Sequence, residues 1–98
     1  LNDKGYVGTG GSSTWGNSLN DFWEYTPATN SWIQKANVGT TPRMEATGFS
    51  VYGKGFIGTG DDQSSGTNYN DFWEYDPTTN TWVQIQDFFE YLVLLFSF

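Results

Sequence analysis

Apolar positions along this chain fall in short runs, each bounded by Gly, Pro, Asn or Ser. No stretch keeps a helical period with caps, so the pattern predicts short β-strands and minimal helix. The runs recur. Lys4-Gly5-Tyr6-Val7-Gly8-Thr9-Gly10 returns as Lys54-Gly55-Phe56-Ile57-Gly58-Thr59-Gly60, and Asn20-Asp21-Phe22-Trp23-Glu24-Tyr25 returns as Asn70-Asp71-Phe72-Trp73-Glu74-Tyr75. Laying 4–34 on 54–84 gives 17 identities in 31 positions at a constant offset of 50. Tyr6/Phe56, Val7/Ile57 and Ile33/Val83 are conservative exchanges.

Each unit predicts the same succession. A strand over 4–10 or 54–60 runs into Gly-Thr-Gly. A polar loop follows at 11–19 or 61–69. An aromatic strand covers 20–26 or 70–76, and Pro27 to Asn30 or Pro77 to Asn80 makes a tight turn. A strand carrying Trp32 or Trp82 comes next. After a loop at 37–42, Met44 to Val51 supplies a fourth strand ending at Tyr52-Gly53-Lys54. Four antiparallel strands in about 50 residues matches the repeat arithmetic of a propeller blade.

At this point the chain resembles kelch repeats. The kelch pattern opens an inner strand with Arg, ends the next in Gly-Gly, and then carries Trp/Tyr-Asp-Pro and a lone Trp. Arg43, Tyr6…Gly10-Gly11, Trp23-Glu24-Tyr25-Thr26-Pro27 and Trp32 fit it. So do Trp73-Glu74-Tyr75-Asp76-Pro77 and Trp82, while Gly60-Asp61 and Thr26 depart from it. The resemblance covers residues 1 to about 87 and extends to secreted bacterial kelch proteins. It implies an all-β fold: two four-stranded antiparallel blades of a kelch-type β-propeller, incomplete. Residues 1–36 form a partial blade whose first inner strand is missing, because Leu1 aligns with Val51. Residues 37–86 form the second blade.

Residues 87–98 are an atypical apolar tail. The repeat calls for an Arg near position 93, where the chain reads Phe89-Glu90-Tyr91-Leu92-Val93-Leu94-Leu95. Two readings stand. The tail pairs as a final strand, or the reading frame slips near residue 89. Codons able to encode residues 90–95 contain Val-Ser-Arg-Ser-Ala one frame over. The run Phe88 to Phe98 is broken by Glu90 and falls short of the ~20 residues a membrane-spanning helix needs.

Composition sharpens this picture. Of 98 residues, 19% are aromatic, which disfavours disorder. A blade is covered on both faces, so Phe22, Trp23 and Tyr25 read as blade-to-blade packing. Gly8 and Gly10, like Gly58 and Gly60, leave a slot on one face. We expect a Trp to cover it: Trp32 or Trp23 in the first unit, Trp82 or Trp73 in the second.

Eleven acidic against 4 basic residues give a net charge of −7. Lys4, Lys35, Arg43 and Lys54 stand singly, so nucleic acid and anionic membrane are excluded as partners. Neither Cys nor His occurs, which removes His- and Cys-based catalysis and His- or Cys-ligated metals from this chain.

Asp61, Asp62 and Asp71 with Gln63 and Asn68 offer oxygen ligands, but their spacing matches no calcium loop. Asp21 and Asp71 are expected to bond loop backbone amides. Glu24 and Glu74 recur on separate blades and read as surface or structural. Gly8 to Gly11 lacks the Lys-Ser/Thr of a phosphate loop. Arg43 is assigned to the inner strand. No catalytic residue, metal site or cofactor is expected, and the chain is not expected to be an enzyme.

The longer connections, 11–19, 37–42 and 61–69, should share one end of the blades, where binding usually resides. Trp15, Asn17, Gln63, Asn68 and Tyr69 are the candidate binding residues there. The expected role is a non-catalytic protein- or glycan-binding or scaffolding module from a larger kelch propeller, extracellular or periplasmic. The alternatives are a fragment of a kelch enzyme, galactose-oxidase-like or sialic-acid-epimerase-like, and a propeller fragment that self-associates through its open blade faces.

Overall fold

The computed structural model describes residues 3–12, 17–62 and 65–85. Nine strands follow one another: β1 (Gly5–Gly11), β2 (Ser18–Thr26), β3 (Ser31–Lys35), β4 (Thr47–Val51), β5 (Lys54–Gly58), β6 (Asp61–Asp62), β7 (Thr67–Asn68), β8 (Phe72–Asp76) and β9 (Thr81–Ile85). No helix occurs among the described residues. The strands form an antiparallel sheet β1-β2-β3, an antiparallel sheet β4-β5-β8-β9, and a small ribbon β6-β7. The tail 87–98 lies outside the described residues.

The turns use the residues the sequence provides. Pro27 and Pro77 open tight turns that Asn30 and Asn80 close with φ of 50° and 54°, a left-handed conformation that Asn tolerates. The Tyr25 hydroxyl donates to Asn30 Oδ1 and the Tyr75 hydroxyl to Asn80 Oδ1, each at 2.8 Å. Tyr52 and Gly53 join β4 to β5, both with positive φ, as a two-residue hairpin turn requires.

The inner strand starts later than the apolar pattern indicates. Met44 makes only an isolated bridge to Asp61, and regular pairing begins at Thr47. Glu45, with φ of 60°, breaks the extended backbone between them. The loop 61–69 is likewise not irregular throughout, since Asp61 pairs with Asn68 and Asp62 with Thr67.

The core lies between the two large sheets. Phe22 from the first meets Tyr75 and Trp82 from the second, each at 4.8 Å between ring centres and edge-on. Tyr6 stacks on Phe22 at 5.4 Å and reaches Tyr75 at 5.9 Å. Val38, in the linker, is fully buried in this cluster. The aromatic excess is therefore shared surface between sheets.

The slots at Gly8 and Gly58 are filled by Phe instead of Trp, whereas a Cβ on Gly10 would meet nothing within 4 Å and one on Gly60 would meet the Met44 carbonyl and the Ala46 backbone. A Cβ on Gly8 would come within 2.7 Å of the Phe22 ring and 2.9 Å of the Asp21 carbonyl oxygen. At Gly58 it would collide with Phe72 and the Asp71 carbonyl. The cause is register: Gly8 sits opposite Phe22, and Gly58 opposite Phe72. Trp73 covers another glycine, Gly39 of the linker, where a Cβ would lie 2.5 Å from its indole.

The long-loop end and its arginine clamp

The three longer connections meet at one end of the sheets. Val38 N donates to Asn20 O at 2.7 Å, Arg43 N to Leu19 O at 3.1 Å, and Met44 N to Asp61 O at 2.8 Å. Ser18 Oγ of the first loop donates to Asp62 Oδ1 of the other at 3.0 Å.

Arg43 is the centre of this end. Its main chain belongs to the first sheet, for Gly10 N donates to its carbonyl at 2.8 Å. Its side chain belongs to the second. Nη1 and Nη2 hold the two Asp71 oxygens at 2.6 and 2.8 Å, a bidentate pair. Nη1 also donates to Thr59 O at 3.1 Å and Nη2 to Thr41 Oγ1 at 2.8 Å. The guanidinium lies 4.7 Å from the centre of the Tyr69 ring. Arg43 is completely buried, and its Nε is left without a partner.

Asp71 also accepts the Trp73 indole N–H at 2.8 Å. Burial works to raise its pKa, but the hydrogen bonds from Arg43 and Trp73 outweigh it and hold the carboxyl below the usual range. Asp71 also accepts a backbone N–H, its own, but the main donors to Asp21 and Asp71 are not loop amides. Their carboxylates take side-chain donors, and Asp21 Oδ2 accepts the Trp23 indole at 2.8 Å.

The predicted binding residues divide. Trp15 and Gln63 lie outside the described residues. Asn17 and Asn68 are exposed at the loop end, and the Asn17 carbonyl accepts from Ser12 N at 3.0 Å. Tyr69 is half-buried, with its ring committed to Arg43 and its N–H donating to Gly60 O at 2.9 Å. Among the described members of this set, Asn17 and Asn68 have their side chains at the surface. The grouping of Asp61, Asp62, Asp71 and Asn68 is a paired ribbon beside a salt bridge, and no cluster of acidic side chains suited to a metal occurs among the described residues.

The sequence reading missed Val38 and Gly39, which sit in a segment taken as a variable loop. Their signal is compositional: Val38 is an apolar residue among polar ones, at the position where the second unit has Phe88. Glu24 is also more engaged than a bare surface carboxylate. It accepts the Tyr6 hydroxyl at 2.8 Å and lies 3.8 Å from Lys35 Nζ. Burial, followed by this bond and the Glu24 charge, pushes the Tyr6 hydroxyl pKa well above its ordinary value.

Comparison with known proteins agrees with this architecture. The family model for the Kelch motif matches residues 55–88. A solved structure described as "Structure of YjhT" superposes with a TM-score of 0.74 at 16% identity, over 89% of this chain and 35% of its own. The chain thus spans about a third of that structure's length. No curated protein matches the sequence. With a Kelch motif matched in the second unit and its near-copy in the first, the two antiparallel sheets match the fold of a kelch β-propeller fragment.

Proposed function

We propose that this chain is part of a larger kelch propeller that acts as a non-catalytic binding or scaffolding module, through its long-loop end. The carrying observation is the gathering of three longer connections on one rigid frame, with Arg43 fixing both sheets beneath them. The opposite connections are tight turns with little surface to vary. A protein partner is favoured because kelch repeats generally mediate protein interactions. A glycan is the other ligand class, with Asn17 and Asn68 as hydrogen-bonding groups at the surface. The compartment that goes with this role is extracellular or periplasmic.

The test is binding of the full chain to a glycan array and to a displayed peptide library, repeated with Asn17→Ala/Asn68→Ala. Selective binding lost in the double variant, with unchanged thermal unfolding, supports the proposal. Binding that survives the double variant places the site elsewhere.

A second reading rests on the exposed outer strand of the first blade. Trp32 and Ile33 are each 52% exposed, whereas the equivalent Trp82 is half-buried against the first blade's linker. Self-association through this face would cover them. Sedimentation velocity across a concentration series decides it, and a monomer of 11.0 kDa at every concentration rejects it.

A further inference from the structure

The two units differ at one tight turn. The repeat lays Asn2-Asp3 on Tyr52-Gly53, with an apolar residue before and a Lys after in both. A two-residue hairpin of this kind favours Asn, Asp or Gly, because both φ angles are positive. Tyr52 takes φ of 51° there, followed by Gly53 at 75°. A bulky side chain in this left-handed region is an outlier.

The ring gives the fold no packing that offsets the strain. Tyr52 is 88% exposed, more than any other large hydrophobic side chain among the described residues. It stands on the turn itself, past the last strand pair of Val51 with Lys54. A residue that the backbone disfavours and the core does not use points to a role outside the fold.

The neighbouring strand ends supply polar groups. Lys54 Nζ holds Asp76 Oδ2 at 2.8 Å, with the two side chains 37% and 31% exposed. The Thr78 N–H donates to Asp76 Oδ1 at 2.9 Å and fixes the carboxylate. The order β4-β5-β8 spreads Tyr52, Lys54 and Asp76 over two strand spacings, about 10 Å. The first unit has neither the ring nor the carboxylate: Thr26 stands in place of Asp76 and accepts from Lys4 Nζ at 3.0 Å.

We propose that the β4–β5 turn is a binding site for a neutral disaccharide, at the opposite end of the blade from the long loops. One pyranose lays its C–H face on the Tyr52 ring. Hydroxyls of the next sugar donate to the Asp76 carboxylate and accept from the Lys54 ammonium. A sugar suits this place because its hydroxyls both donate and accept. The ion pair is balanced in charge, which favours a neutral sugar over an acidic one. A peptide needs a groove or an unpaired strand for its main chain, and a hairpin tip offers neither.

The probe is an array of neutral disaccharides in gluco, galacto, manno and N-acetyl configurations, overlaid with the full chain. Saturation-transfer NMR then follows the strongest of them. Binding is expected, and Tyr52→Asn should abolish it while leaving the thermal midpoint unchanged or higher, since Asn tolerates this turn. Tyr52→Trp should retain binding, and Asp76→Ala should weaken it about tenfold, the equivalent of one lost hydrogen bond. Asn17→Ala/Asn68→Ala should leave it unchanged. Three results overturn the proposal: no disaccharide binds, binding survives Tyr52→Asn, or Tyr52→Asn lowers the midpoint and shows the ring to be a structural contact. Binding lost in Asn17→Ala/Asn68→Ala also overturns it, and assigns the sugar to the long-loop end.

Discussion

Truncating Arg43 tests the central claim about how the two blades are joined. Arg43→Ala removes both bonds to Asp71 together with those to Thr59 O and Thr41 Oγ1, and it removes the cation over Tyr69. The Asp71 carboxylate, only 17% exposed, is left with the Trp73 indole and its own backbone N–H. Stranding one member of a buried pair costs about 3–5 kcal/mol. The unpartnered Nε already weakens the clamp, which favours the lower end, about 3 kcal/mol. That is a large part of the ~5–15 kcal/mol that holds a domain of this kind. With a urea m-value of about 1–3 kcal/mol/M, the midpoint should fall by about 1–3 M. Tryptophan emission during urea unfolding reads it directly. The double variant Arg43→Met/Asp71→Leu should recover most of the loss, because no charge is then stranded. If Arg43→Ala costs less than about 1 kcal/mol, like an exposed ion pair, the clamp does not join the blades.

Other perturbations separate the remaining contacts. Gly58→Ala drives a methyl into Phe72 and the Asp71 carbonyl, and should cost about 1–3 kcal/mol by thermal unfolding. Trp82→Phe removes the indole N–H that donates to Ala36 O at 3.0 Å and should cost about 1 kcal/mol in urea. Trp32→Phe, on the open face, should stay within about 0.5 kcal/mol. The depressed pKa of Asp71 means the folded chain binds fewer protons than the unfolded one in acid. Its contribution should be complete above about pH 4 and vanish as pH falls through the lower folded value, seen as an acid loss of thermal midpoint. Tyr6 acts in the opposite sense. Its raised pKa favours the neutral hydroxyl in the fold, as burial also does for Tyr75, so stability should decline above about pH 10, and absorbance titration should find these two phenols ionising late, with unfolding.

Much of this architecture is legible before any coordinates. The Pro-x-Thr-Asn turns, the aromatic strands and the offset of 50 each report local chain chemistry, and local chemistry is what a sequence states openly. Cross-strand register is different. Nothing in the spacing of Gly8 and Gly58 says that Phe22 and Phe72 stand opposite them, so a Trp of suitable size looked equally able to fill the slot. Arg43 could be placed at a strand start, but not aimed: Asp71 lies 28 positions away, and only the folded loop end brings them together. The buried linker was hidden for a related reason. Val38 and Gly39 make no periodic pattern, and their burial comes from Phe22 and Trp73 of different blades.

Arg43 gives its peptide group to one blade and its guanidinium to the next. A duplication that copies residues 44–93 would therefore deliver a second Asp71 without the cation that matches it. A copy running from 43 to 92 would carry both. The repeat reads identically in either frame, yet only one of them is a self-sufficient module. Insertions, deletions and circular permutations of this chain are constrained by that one-residue difference, and designed arrays should place their seam before the arginine.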